Sequence, residues 1–346
     1  MKVTPIVNWE IFPQTGQRND WDRLLLESQD YNVFQSYGWG EYKRTLNWVP
    51  IRWIARNRGG AVAAVAQILT RKLPGGSSVG WSPGGPILMF PQTPSRDLAS
   101  IIELLLRQIK AQNSKACVRF NCYLPHHAGL TYAFSRSCVR PLLSLTTGYS
   151  VCLDLGTSLA PLVGQMKAKH QAYIKKALSY PIEWKTGRDS HFVQEFVKLH
   201  HEMTMDKSLS SYRASAPEIS ALCKHLDEQA IIFTGYFDGE ALTSYLIVLC
   251  GQKAFTVMAA TGRKGREIGA SYGVLVQLLD YLINRGITQF DLGGLDPRTP
   301  GTEGSNHFKR GFGGKFVEYV GEWEWSSTEW VRWVTNFAIW FRGKRL

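Results

Sequence analysis

Two successive runs of the same helix-and-strand rhythm constrain this chain more than any other feature. In the first, residues 21–28 carry apolar side chains at helical spacing, and residues 35–45 read as a second short helix. Stretches 51–55 and 61–70 read as paired strands about the turn Asn57-Arg58-Gly59-Gly60. Loops rich in Gly and Pro follow at 73–76 and 82–86. Next come a helix at 98–113, with Leu104, Leu105 and Ile109 on one face, and strands at 116–121 and 148–153. The second run begins near residue 151 with a helix at 160–179, a strand at 182–186 and helices at 190–207 and 217–229. It continues with a hairpin of 230–237 and 242–250, a strand at 254–260, a helix at 271–285 and a strand at 289–292. A chain of 346 residues is long for one hydrophobic core and comfortable for two. The repetition therefore predicts an α+β fold of two similar domains, mixed sheets flanked by helices, dividing near residue 150.

With 44% hydrophobic and 20% charged residues, the composition excludes general disorder. A net charge of +12 suits a polyanionic partner or an acidic surface, and equally a basic soluble protein. Cys117, Cys122, Cys138, Cys152, Cys223 and Cys250 form no C-x-x-C pair, and several lie in apolar runs. That is the pattern of buried free thiols in a reducing compartment. Residues 1–9 are broken by Pro5 and followed by Glu10, unlike a secretory leader. No apolar stretch approaches the roughly 18 residues of a membrane span, so a cytoplasmic location is expected. The pairs His126-His127 and His200-His201 lack metal-ligand spacing, and no metal is expected. The absence of a G-x-S-x-G run gives no support for a serine hydrolase.

The chemistry-bearing stretch lies near the end. A β-prone run breaks at a double glycine in Phe290-Asp291-Leu292-Gly293-Gly294-Leu295-Asp296-Pro297, and a Gly/Pro-rich loop leads to His307-Phe308-Lys309-Arg310-Gly311-Phe312-Gly313-Gly314. Glycines at 311, 313 and 314 permit positive φ and close backbone approach to a ligand. Lys309 and Arg310 offer charge to a phosphate or an oxyanion. By itself the stretch also reads as a hairpin loop with solvated charges.

The order Phe308-Lys309-Arg310-Gly311-Phe312-Gly313-Gly314 resembles the C-terminal signature of the Fem (FemABX-like) aminoacyltransferases. Two more stretches are similar to that family. One is Phe34-Gln35-Ser36-Tyr37-Gly38-Trp39-Gly40-Glu41-Tyr42-Lys43 with Trp48 beyond it; the other is Lys167-Ala168-Lys169-His170 leading to Lys175-Lys176, where His170 replaces a more usual arginine. The resemblance implies two GCN5-like (GNAT) domains in tandem, 1–150 completed by 320–346, and 151–319, without the coiled-coil insertion of longer members. It implies transfer of an amino acid from aminoacyl-tRNA to an amine of a cell-wall precursor, a UDP-MurNAc-pentapeptide or lipid II-like acceptor, with no cofactor. An acyl-CoA- or acyl-carrier-dependent N-acyltransferase of surface-polysaccharide synthesis is the alternative.

By the same resemblance, Lys309 and Phe308 are catalytic, and Lys43 and Trp39, one helical turn apart, face the acceptor's diphosphate with Gly313 and Gly314 nearby. Arg213 is the expected second diphosphate ligand, and Lys207 is its substitute. Lys169, Lys175 and Lys176, together with Arg310, suit tRNA phosphates, while a solvated helix face explains the lysines equally well. The stretch Arg266-Glu267-Ile268-Gly269-Ala270 reads as a loop before a helix, one residue short of a coenzyme A pyrophosphate site. Residues 323–341 carry five Trp and two Phe, with Arg342, Lys344 and Arg345 after them. They read as a short helix that packs on the first domain, or lies in a membrane interface as a peripheral contact at the inner face of the plasma membrane.

Overall fold

The computed structural model describes residues 7–13, 16–89, 95–206, 213–296 and 302–342. The chain forms two compact units, one of residues 1–148 with 317–346 and one of residues 149–316. The first opens with β1 (Val7–Ile11), α1 (Arg18–Leu26) and α2 (Tyr37–Arg44), whose Ser36 side chain caps the helix by accepting from Trp39 N. Strands β2 (Val49–Asn57), β3 (Val62–Lys72), β4 (Ser78–Pro83) and β5 (Ile87–Leu88) lead into α3 (Ser95–Gln112), β6 (Ala116–Pro125) and α4 (Ala128–Ser135). Alternate residues of β6, Ala116, Val118, Phe120 and Cys122, join Leu98, Ile101 and Leu105 of α3 in the core, as a period-two strand facing a helix requires.

The second unit contains β7 (Tyr149–Asp154), α5 (Leu159–Gln165), α6 (Ala168–Leu178), β8 (Glu183–Gly187), α7 (Ser190–Asp206) and α8 (Ala216–Leu226). Then come β9 (Ala230–Phe237), β10 (Glu240–Cys250), β11 (Lys253–Thr261), α9 (Arg263–Ile268), α10 (Ala270–Asn284), β12 (Gln289–Asp291) and α11 (Glu303–Arg310). Its strand order is β7-β12-β11-β10-β9-β8, antiparallel except for the parallel β11–β12 pair. One face is covered by α10, whose Val274, Leu275, Leu278 and Leu282 pack with Phe233, Tyr245 and Ile247. On the other face Leu199 of α7 meets Tyr236, Ala241 and Ala260.

The chain then returns with β13 (Lys315–Ser326) and α12 (Glu329–Phe341). From Tyr319 to Ser326, β13 pairs antiparallel with β6 and ends the first unit's order β1-β2-β3-β4-β6-β13, in which only β4–β6 is parallel. The face of β6 away from α3 presents Arg119, which is 1% exposed and bonds Glu324 Oε2 through Nε at 2.9 Å and Asn336 Oδ1 through Nη2 at 2.7 Å. Asn336 Nδ2 and Arg332 Nε donate in turn to Glu324 Oε1, both bonds near 2.9 Å (2.9 and 2.8 Å). A buried ionic and amide network therefore fastens α12 to the strands beneath it.

The architecture is the α+β arrangement of mixed sheets flanked by helices that the sequence predicts. Three local readings change. The helix expected at 160–179 is two helices, because Met166 and Lys167 are extended (ψ 150° and 140°) and Lys167 N donates to Gly311 O at 2.9 Å. The loop expected at 261–270 contains α9. In the Trp-rich segment, Trp323 and Trp325 belong to β13, and only the residues from Glu329 onward are helical.

Candidate active site

The site is built where β12 stops. Strands β11 and β12 pair over only three residues, Lys253–Phe255 with Gln289–Asp291, and then the chain turns through Gly293 at φ +78°. That positive φ is why a glycine stands there. The turn is held by Asp291, whose Oδ1 accepts from Gly293 N at 2.7 Å and from the Ser150 hydroxyl of β7. Ser150 Oγ also lies 3.0 Å from Gly293 O.

Into this turn reaches Lys309, from the last turn of α11. Its Nζ donates to Gly293 O at 3.1 Å and Gly294 O at 2.6 Å. An ammonium has three N–H groups, so one is left for a ligand. Burial pushes its pKa down to about 8, against the opposing pull of nearby Asp291. Beside it, Thr256 is the first β11 residue past the β12 pairing. Its buried hydroxyl has no hydrogen-bond partner among the described residues, and its carbonyl lies 3.1 Å from where a Gly293 side chain would start. A polar ligand entering between the diverging strands would meet a cation and an unsatisfied hydroxyl together.

Phe308 belongs to an aromatic cluster, its ring 5.0 Å from Tyr272 and 4.9 Å from Phe312. At the centre is His170 of α6, fully buried, with Nε2–H donating to Phe308 O at 3.0 Å. Its Nδ1 is buried with no partner among the described residues. Burial lowers this imidazole's pKa, and the neighbouring His307, Lys167 and Lys169 lower it further, against the carbonyl bond. His170 is therefore a neutral ring that packs the motif.

The ring also explains a glycine. A Cβ on Gly311 would lie 1.9 Å from His170, and one on Gly314 would lie 2.6 Å from Val151 Cγ1. Only Gly313 of the three has positive φ, at +80°, with Gln165 O 3.0 Å from the space a side chain would take. Of the three glycines that permit positive φ, only Gly313 uses it. Gly311 and Gly314 are required where the chain packs against itself, and Lys309 stands on a helix, not in a hairpin loop.

The remaining candidate residues are placed as follows. Arg310 is exposed over Phe316, at 5.0 Å. Lys169, Lys175 and Lys176 are exposed on α6, with Lys176 donating to Glu267 O at 3.1 Å. In the first unit α2 brings Lys43 and Trp39 together as their spacing requires. The ammonium lies 5.2 Å from the Trp39 ring, 4.5 Å from Tyr42 and 5.7 Å from Trp81, a cage of π faces. Arg213 is exposed before α8, and Lys207 lies outside the described residues. Ser150, Thr256 and Tyr272 have no signal in the sequence, because their neighbours in the site come from distant segments.

The pyrophosphate reading of 261–270 loses its footing. The start of α9 is already occupied: Arg263 N donates to Glu202 Oε1 at 2.6 Å. Asp206 pairs with both Arg263 and Arg266. Asp206 thus takes Arg266, the cation this stretch would offer to a pyrophosphate at the start of the following helix. Among the described residues no cluster of three or more His, Cys, Asp or Glu offers a metal site.

The sequence profile of the FemAB family matches residues 212–338. No curated protein matches the chain by sequence. Among solved structures, FemX is similar over 94% of this chain and 100% of its own, with a TM-score of 0.81 at 13% identity. A tandem GNAT protein from the clavulanic acid biosynthesis pathway is similar over 93% of this chain and 99% of its own, with a TM-score of 0.55 at 12% identity. The C-terminal domain of a putative lysylphosphatidylglycerol synthetase from Agrobacterium fabrum is similar over 93% and 97%, at 0.56 and 11%. These likenesses show a shared fold. The FemAB profile thus reaches residues 212–338 and not the rest of the chain, and what the whole chain shares with FemX is the fold.

Proposed function

We propose that the protein is a Fem-type transferase of peptidoglycan bridge synthesis, moving an amino acid from aminoacyl-tRNA to an amine of a cell-wall precursor. The observation that carries this reading is Lys309, held by Gly293 O and Gly294 O at the divergence of β11 and β12 with one N–H left for a ligand. An aminoacyl ester is already activated, so the protein's work is to hold a neutral amine at the carbonyl and stabilise the oxyanion. The amine nitrogen forms a bond to the carbonyl carbon, the bond to the ribose oxygen breaks, and the proton lost by the amine ends on that ribose oxygen. Nothing is oxidised or reduced. Lys309, charged below its pKa of about 8, faces the developing oxyanion or the terminal phosphates of the tRNA. Phe308, one residue before it in the aromatic cluster, orients the aminoacyl end.

In the first unit Lys43 in its aromatic cage, with Trp39, is the candidate for the acceptor's diphosphate, and in the second unit Arg213, with Lys207 as its substitute, is another. The exposed cations Lys169, Lys175, Lys176 and Arg310 serve tRNA phosphates, which attract such patches without sequence readout. This work belongs on the cytoplasmic side, where charged tRNA is found. The pairing of Arg266 with Asp206 weighs against coenzyme A as donor. The experiment is transfer from charged tRNA to a nucleotide-linked or lipid-linked stem peptide, compared with transfer from acetyl-CoA to an amino sugar. Product only from the second pair would overturn the reading.

A further inference from the structure

The outer face of α12 is an unbroken aromatic stripe. Trp330, Trp333, Val334, Phe337, Trp340 and Phe341 fall within an arc of about 120° on a helix of 100° per residue. The five rings among them are 60–78% exposed. The opposite arc, Val331, Thr335, Asn336 and Ile339, is buried, and the Arg119–Glu324–Asn336 network fixes it. The helix therefore cannot roll to hide its rings without breaking that network. A patch of several large aromatics in water is the signature of an interaction surface.

The chemistry at its edge selects the occupant. Arg342 closes the helix, exposed, and its charge is felt by Arg71 of β3, whose pKa is lowered first by burial and then by Arg342. Arg71 stacks on Trp48 at 4.2 Å. Arg342 thus places a cation at the end of the aromatic face, a position that suits an anionic group. On the outer arc no acidic residue interrupts the rings, and the only acid of α12 is Glu329 in its first turn. The chain's net charge of +12 opposes a second copy and favours an acidic surface. Tryptophan is the side chain that prefers the boundary between headgroups and acyl chains. At 13 residues α12 is about 20 Å long. No described helix is long and apolar enough to cross a membrane, so α12 would lie along a surface.

We propose that α12 docks the protein on a bilayer containing anionic lipid, with the Trp330–Phe341 face in the headgroup boundary and Arg342 on lipid phosphates. This inference rests on α12 and its edge alone and is independent of the acyl-transfer reading. Deep burial of two of the rings accounts for at least about tenfold in partitioning.

The test is sedimentation of the full-length protein with phosphatidylcholine vesicles, with and without phosphatidylglycerol, at low and high salt. Light scattering should run alongside it. Binding should require phosphatidylglycerol and weaken in salt. Trp333→Ser with Phe337→Ser, both on the outer arc, should lower the partition coefficient about tenfold or more with an unchanged melting curve. Arg342→Glu should lower it about tenfold, on phosphatidylglycerol vesicles only. Failure of the wild type to bind, or binding that the double variant keeps, overturns the proposal. So does a dimer that ignores vesicles and dissociates in the double variant.

Discussion

Lys309 Nζ reaches two peptide carbonyls from the end of α11, and its burial there lowers its pKa to about 8 from the 10.5 of a free side chain. If the ammonium stabilises the oxyanion, transfer should be full below pH 8 and fall as the proton leaves above it. A pH–rate profile rising through 8 would mark the same residue as a base instead. Lys309→Met should lower turnover about a hundredfold or more, measured with charged tRNA, while the fold persists. Stability has the opposite sign. Between about pH 8 and 10.5 the unfolded chain holds more protons at this residue, so wild-type stability gains from it as pH rises, and Lys309→Met should remove that slope from denaturant melts. Gly311 is the other residue whose identity is dictated by contact. Gly311→Ala places a methyl 1.9 Å from His170 and should cost about 1–3 kcal/mol in urea unfolding.

Element by element, the sequence is legible where periodicity is strong and misleading where a tertiary bond intervenes. The hairpins and α3, α7 and α10 follow from apolar spacing because their burial is continuous. The break between α5 and α6 does not, since Lys167 N bonds Gly311 O from far along the chain. Nor does α9, whose Gly-rich, basic sequence reads as a loop until Glu202 and Asp206 neutralise it. Residues 323–341 read as one Trp-rich helix, yet half the charge that anchors α12, Glu324, is on β13. Glu324→Ala would remove the nearer of the two carboxylates that face buried Arg119, leaving Glu322 at 3.6 Å, and should cost about 3 kcal/mol by denaturant titration. Adding Arg119→Met should recover only part of the loss, because Glu322 and Arg332 keep their charges.

Over the whole molecule, charge and surface set the partners. Replacing Lys169, Lys175 and Lys176 together with Glu should weaken tRNA binding and flatten its logarithmic salt dependence by about 2 to 3, roughly one for each phosphate no longer neutralised. An unchanged slope in filter binding at several salt concentrations would assign the α6 lysines to solvent. The amino-acid sequence by itself determined where the hairpins and the longer helices lie, that the α+β pattern occurs twice, and that Phe290 to Gly314 carries the motif, because periodicity and glycine placement are local properties. Only the tertiary structure decided that Ser150 and Asp291 share a hydrogen bond, that Lys309 is held at Gly293 and Gly294 with a lowered pKa, and that α12 turns its rings outward. Hydrogen-bond partners, desolvation and exposure depend on which distant residues a folded chain brings within a few ångströms, and spacing along the sequence does not encode that.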